Sequence, residues 1–125
     1  MPQRILVVED DPDIQKIVAT VLAKEYEVRA AADGLAALME LEQGFKPDLI
    51  IADIMMPRLD GLSFVKALKN RSSTSGIPVM FLTAKSAPRD VIDGINLGAR
   101  YYLTKPFKVD ELLSKVHRLL PPPKK

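Results

Sequence analysis

Cysteine is absent from this sequence, and His117 is its only histidine. Disulfides, thiolate metal sites and cysteine nucleophiles are therefore excluded, and a single imidazole makes a zinc centre unexpected. No apolar run approaches the roughly 18 residues that a membrane span needs, and the N-terminus lacks the pattern of a signal peptide. These absences predict a soluble, cytoplasmic protein with no membrane contact. His117 is predicted to be a surface residue of the last helix.

Charge of one sign is not in large excess either. Eighteen basic residues against sixteen acidic ones give a formal net charge of +2, to which Lys124 and Lys125 contribute. Because no long basic block occurs elsewhere, we expect no direct nucleic-acid contact by this domain. The 125 residues, 47% of them hydrophobic, fit one domain, which we place at residues 1–120. Residues 121–125 are predicted to be a Pro/Lys tail or the start of a linker.

Short apolar segments predict five β-strands, separated by segments with the periodicity of amphipathic helices. The predicted strands are residues 5–8, 26–30, 49–52, 79–82 and 99–103. This alternation is typical of a doubly wound α/β fold, a parallel sheet with helices on both faces. The second strand alternates apolar residues with Glu25, Glu27 and Arg29, which indicates an edge position. The pattern is compatible with a single flavodoxin-like (βα)5 sheet in the order 2-1-3-4-5.

Capping residues mark the predicted helix boundaries. Asp11 is predicted to cap the first helix, and the second is predicted to run from about Asp33 to Gly44. Asp60 is predicted to cap the third helix, and the fourth is predicted to end at Gly98. A fifth helix with an apolar stripe precedes the proline tail.

Polar residues follow the apolar runs of four predicted strands, at the ends where parallel sheets hold ligands. Asp10, Asp53, Thr83 and Lys105 would share that edge, together with Glu9. Three carboxylates this close repel one another unless a cation or a proton intervenes. Because carboxylate oxygens favour hard cations, the pattern predicts a Mg²⁺ site, in which Mn²⁺ would also serve.

Asp53 is the candidate nucleophile of this edge, because an ionised carboxylate beside a metal can accept a phosphoryl group. Lys105 would supply positive charge to the transferred group, and Thr83 a hydroxyl donor. Taken singly, Thr83 could be an ordinary strand-end residue and Lys105 a solvated charge; their joint placement favours the functional interpretation. For Asp11 and Asp13, helix capping remains the preferred explanation.

Four short segments together resemble the receiver domains of two-component response regulators, of the chemotaxis-regulator type. The resemblance covers essentially the whole chain, and the order and spacing of the segments within the βα pattern make it specific. The segments are Glu9-Asp10-Asp11, Asp53-Ile-Met-Met-Pro57 with Asp60-Gly61, Thr83-Ala84 and Lys105-Pro106-Phe107.

The resemblance implies a role for each matching residue. Asp53 matches the phosphoacceptor and Lys105 the phosphate-contacting lysine, and the Lys105–Pro106 bond is expected to be cis. Thr83 looks like the switch hydroxyl, and Tyr102 looks like the aromatic residue that turns inward on activation. The implied metal ligands are Glu9, Asp10, Asp53 and the backbone carbonyl of Met55.

By the same resemblance, a phosphohistidine of a sensor histidine kinase or phosphotransfer protein donates to Asp53. The face formed by the fourth helix, the fifth strand and the fifth helix then controls a protein effector. Related receivers carry acidic residues that support a dimer where this chain has Arg100 and Tyr101, so we expect a monomer or weak dimer. Such a protein is not an enzyme, beyond catalysing its own phosphorylation and dephosphorylation.

Two alternatives remain at this point. Haloacid-dehalogenase-like phosphatases also use an Asp nucleophile with Mg²⁺, and Asp11-Pro12-Asp13 superficially fits their Asp-x-Asp pattern. Their nucleophile follows the first strand, however, and the chain lacks a substrate cap domain. The second alternative is a receiver-shaped binding module that is never phosphorylated, against which the complete acidic set argues.

Overall fold

The chain forms a five-stranded sheet flanked by helices, seen in a computed structural model that describes residues 3–53, 61–84 and 101–121. The strands are β1 (Arg4–Val8), β2 (Glu27–Ala31), β3 (Leu49–Asp53), β4 (Val79–Ala84) and β5 (Tyr101–Lys105). The described helices are α1 (Pro12–Leu22), α2 (Gly34–Glu42), α3 (Gly61–Lys69) and the C-terminal helix (Val109–Leu119).

All neighbouring strands are parallel, in the order β2-β1-β3-β4-β5, so the predicted fold class and the edge position of β2 are confirmed. In the register, Val8 lies opposite Ala31 on one side and Ala52 on the other. The ends of β1, β2 and β3 are therefore level. Glu9 and Asp10 emerge between β2 and β3, and the end of β3 is at Asp53.

Each face of the sheet has its own hydrophobic core. Alternate residues of a strand point to opposite faces, so the continuously apolar strands β1 and β3 serve both cores. One core contains Leu6, Val8, Ile50, Ala52 and Phe81 with Ala37 of α2 and Phe64 and Leu68 of α3. The other contains Ile5, Val7, Ile51 and Leu82 with Val18 and Leu22 of α1 and Leu112 and Val116 of the C-terminal helix.

The predicted cap of the first helix and the predicted start of the second are confirmed. The Asp11 side chain accepts hydrogen bonds from the amides of Asp13 (2.9 Å) and Ile14 (3.3 Å), two donors that the first turn of α1 leaves without helical partners. Asp33 caps α2 in the same way. Gly44 follows this helix with φ +104°, a conformation that glycine adopts at little cost.

Several strand boundaries differ from the prediction by one or two residues. β2 begins at Glu27 rather than Tyr26, and β4 continues through Thr83 to Ala84. β5 continues to Lys105, and Thr83 and Lys105 are therefore strand residues rather than residues beyond a strand. The reason is that inter-strand pairing, Thr83 with Thr104 and Ala84 with Lys105, continues past the last apolar side chain. Asp53 is likewise the last residue of β3.

Some predicted elements lie outside the described residues. These are the cap at Asp60, the fourth helix up to Gly98, and the first two residues of the fifth predicted strand. Within residues 3–53, 61–84 and 101–121, none of the helices has both the length and the apolar character needed to cross a bilayer.

Candidate functional site: an acidic pocket at the carboxyl edge

The carboxyl edge of the sheet brings three predicted site carboxylates together. Glu9 and Asp10 follow β1, and Asp53 ends β3, the neighbouring strand. One ligand atom from each of the three lies within 4.8 Å of the others. Lys105, from the end of β5, places its Nζ 3.0 Å from Asp53 Oδ2 and 2.8 Å from Glu9 Oε1. The structure therefore brings these four residues together at one edge of the sheet, as predicted.

Glu9 is the most buried of these groups, with no solvent exposure. Its Oε2 accepts a hydrogen bond from the Asp11 amide at 3.1 Å. Its Oε1 lies close to Lys105 but is not aligned for a hydrogen bond, and it has no other hydrogen-bond partner among the described residues. Burial raises the pKa of Glu9 to about 7; Lys105 and the Asp11 amide oppose the rise, and the nearby Asp53 adds to it.

Lys105 bridges two carboxylates with one ammonium. Burial by itself lowers the pKa of this lysine, but its contacts with Glu9 and Asp53 outweigh that effect and raise the pKa above its ordinary value. Lys105 therefore stays cationic at neutral pH and keeps a positive charge directed at the Asp53 carboxylate.

The residues present fit a divalent cation. Three carboxylates and one ammonium leave an excess of negative charge when all are ionised, and the buried Glu9 Oε1 lacks an aligned hydrogen-bond donor. A hard cation at this place would balance that charge and use that oxygen as a ligand or as the partner of a bound water. All three candidate ligands are carboxylates, which suit Mg²⁺ or Mn²⁺ rather than a softer metal.

Asp53 places its carboxylate at the border between the protein interior and solvent. It is 7% exposed, so it can be reached from solvent while most of the carboxylate is surrounded by protein. Asp11, by contrast, uses its carboxylate to cap α1. Capping explains the Asp11-Pro12-Asp13 sequence without a phosphatase nucleophile.

The remaining predicted site residues are placed as follows. Tyr102 is 45% exposed on β5, three residues before Lys105. The Lys105–Pro106 peptide bond is cis. Thr83 lies in β4 one position beyond the partner of Asp53, and only its backbone is described. Met55 lies outside the described residues.

One residue that sequence reasoning missed is Gln15. Its side-chain amide nitrogen lies 3.0 Å from the Glu9 carbonyl oxygen and 3.1 Å from that of Ala31. A glutamine on the partly exposed side of an amphipathic helix has no sequence signal that separates it from other surface residues. Only the position of the helix against the strand ends reveals the contact.

Fold and site together define a parallel α/β domain with an acidic pocket at the carboxyl edge of its sheet, and comparison with known proteins gives its family. The sequence profile of the response regulator receiver domain matches residues 5–117. The chain belongs to this family, and the resemblance found in its motifs is confirmed.

Individual relatives agree with this assignment. The chain is 42% identical over 118 residues to the DNA-binding dual master transcriptional regulator RpaA of Synechocystis, covering 94% of this chain and 48% of that protein. It is 40% identical over 121 residues to response regulator MprA of a Mycobacterium strain, covering 96% and 51%. The chain thus spans about half the length of these curated relatives.

Among solved structures, the chemotaxis response regulator CheY4 of Vibrio cholerae matches with a TM-score of 0.87 at 36% identity, covering 96% of this chain and 100% of that one. A response regulator from Chloroflexus aurantiacus matches with the same TM-score at 35% identity, covering 96% and 98%. Chains of this family are signalling regulators rather than metabolic enzymes.

Proposed function

We propose that this domain is a phosphoacceptor whose Asp53 receives a phosphoryl group from the phosphohistidine of a sensor histidine kinase or phosphotransfer protein. The observation that carries the proposal is the position of the Asp53 carboxylate, which is nearly buried, lies beside two further carboxylates, and contacts the Lys105 ammonium at 3.0 Å. Membership of the receiver family supports the same role.

The transfer exchanges one phosphorus bond for another. A carboxylate oxygen of Asp53 forms a bond to phosphorus as the phosphorus–nitrogen bond of the donor histidine breaks, and the electron pair of that bond stays with the imidazole, which takes up a proton from solvent. The product is an acyl phosphate on Asp53. Water later cleaves it, restoring the carboxylate and releasing inorganic phosphate.

The residues around Asp53 contribute position and charge. Lys105 can stabilise the negative charge that develops on the phosphoryl oxygens, since its ammonium already contacts the acceptor carboxylate. Glu9 and Asp10 would hold Mg²⁺, with Asp53 itself and the carbonyl of Met55 as further ligands. The ion would neutralise charge on the phosphoryl oxygens when bound.

Output is proposed to pass through β5 and the C-terminal helix, together with the fourth predicted helix. Tyr101 and Tyr102 are 40% and 45% exposed and, with Glu111 and Lys115, line a shallow cavity of about 310 Å³ on this side. The phosphoryl group carries about −1.5 to −2 charges in place of the single charge of the Asp53 carboxylate. That charge shifts the balance between two arrangements of the face, with Thr83 and Tyr102 as the switch residues.

Other features of the native protein are part of the proposal. We assign residues 1–120 to the receiver domain and 121–125 to a tail or linker, in a cytoplasmic protein that is monomeric or weakly dimeric. RpaA is described as DNA-binding. We propose that the receiver domain itself contacts protein partners rather than nucleic acid, in keeping with a net charge of only +2.

The test is a phosphorylation assay with acetyl phosphate and Mg²⁺, read by intact mass. The wild type should gain one phosphoryl group, and Asp53→Asn should gain none. Asp110→Asn, the same change at an exposed position of the C-terminal helix, is the matched control and should react like the wild type. Sustained release of inorganic phosphate without a phosphorylated protein would indicate a phosphatase instead, and an absence of both would indicate an inert binding module.

A further inference from the structure

The carbonyl groups that end β1 and β2 converge on one side chain from α1. The Glu9 amide donates to the Ala31 carbonyl at 3.0 Å, which continues the pairing of the two strands by one residue. Gln15 Nε2 then donates to that same carbonyl and to the Glu9 carbonyl. Because a side-chain amide has two hydrogens on its nitrogen and both acceptors are carbonyl oxygens, the amide orientation is fixed by its partners.

The contact to the Glu9 carbonyl has consequences for the next residue. The Glu9 carbonyl and the Asp10 amide belong to one planar peptide unit, so fixing the oxygen fixes the plane. The plane sets the direction in which the chain enters Asp10. Asp10 is exposed, whereas Glu9 and Asp53 are buried. The packing that orients those two carboxylates is thus much reduced at Asp10, and its direction depends on the backbone.

We propose that Gln15 is a positioning residue for the acidic pocket: by holding the Glu9–Asp10 peptide, it sets the geometry in which Asp10 joins Glu9 and Asp53 around a divalent cation. The inference rests on the proposed function, because it assumes that the pocket binds Mg²⁺. Groups that orient metal ligands typically contribute about 10- to 100-fold in metal affinity. Gln15 acts through the backbone, so the lower end of that range applies.

The experiment measures the dissociation constant for Mg²⁺ by calorimetry in the wild type and in Gln15→Met. Methionine has a similar length and helix propensity but no amide donor. We expect the dissociation constant to increase about tenfold. Gln43→Met makes the same change at the exposed C-terminal end of α2 and should leave the constant unchanged. If Gln15→Met does not fold, Gln15→Ala replaces it, since a smaller side chain cannot clash.

Thermal unfolding without metal separates positioning from a purely structural role. A structural role alone would lower the melting temperature of Gln15→Met and leave its Mg²⁺ dissociation constant within twofold of the wild type, and that result would overturn the inference. If the wild type binds Mg²⁺ and Gln15→Met binds equally well, only the role of Gln15 is wrong. If the wild type binds no Mg²⁺ at all, the proposed metal site fails and the inference fails with it.

Discussion

The elevated pKa of Glu9 predicts that the metal-free domain becomes less stable as the pH rises. Burial raises the pKa of this carboxyl from its ordinary 4.5 to about 7. At pH values between these two pKa values, the folded state binds more protons than the unfolded state, in which the side chain titrates normally. The free energy of unfolding therefore falls as the pH rises through this window. The whole loss is present above the folded-state pKa of about 7.

The expected loss is large enough to measure. At about 1.36 kcal/mol per pKa unit, a carboxyl with these two pKa values loses roughly 2–3 kcal/mol between about pH 5 and about pH 8. Urea unfolding in the presence of EDTA, followed by far-UV circular dichroism, gives the free energy at each pH. Glu9→Gln removes the titrating group and should reduce the pH dependence by this amount. Glu42→Gln, at a side chain that is 63% exposed, should not.

Magnesium supplies a second test of the same reasoning. A bound cation favours ionised Glu9, so saturating Mg²⁺ should abolish the loss of stability towards alkaline pH in the wild type. In Glu9→Gln, the pH dependence of the free energy of unfolding should change little when Mg²⁺ is added. A metal-free wild type whose stability is constant or increases across the window would refute the argument. So would a Glu9→Gln variant that retains the wild-type slope.

Two further predictions concern hydrogen bonds that stabilise the fold. Asp11→Ala should lower the free energy of unfolding by about 1 kcal/mol through loss of the α1 cap, whereas Asp13→Asn should change it little; equal effects would contradict a specific capping role. Tyr26→Phe removes a buried hydrogen bond to the Leu120 carbonyl and should cost about 1 kcal/mol in chemical denaturation. Tyr101→Phe, at an exposed tyrosine, is its control, and a Tyr26→Phe variant as stable as this control would disprove the contribution.

The fold was predictable because its two main signals are local. Apolar runs identified all five strands, and side-chain caps such as Asp11 and Asp33 located the helix starts. The ends of β4 and β5 were predicted too early because hydrophobicity marks burial. Backbone pairing continues through Thr83 and Lys105, where the side chains are polar. Strand ends are set by pairing with the neighbouring strand, and the pattern of apolar residues does not reveal how far that pairing extends.

The members of the site were also predictable, but their pairings were not. Parallel topology alone is sufficient to bring Glu9, Asp10, Asp53 and Lys105 to one edge. That one ammonium lies within 3.0 Å of both Glu9 and Asp53 depends on side-chain packing between β1, β3 and β5. The contact of Gln15 with two strand ends depends on how α1 lies against the sheet.

Lys105 connects the chemistry of the pocket to the proposed output face through its place in β5. Its ammonium contacts two carboxylates, those of Glu9 and Asp53. A divalent cation bound to Glu9 would replace the ammonium as the partner of that carboxylate. A phosphoryl group on Asp53 would then offer new acceptor oxygens in place of the carboxylate. The same short strand carries Tyr101 and Tyr102 at its exposed start, so under the proposed function a change of partner at Lys105 would act on the element that a protein effector would contact. The proposed switch residue Tyr102 thus lies on the same strand as Lys105, three residues before it.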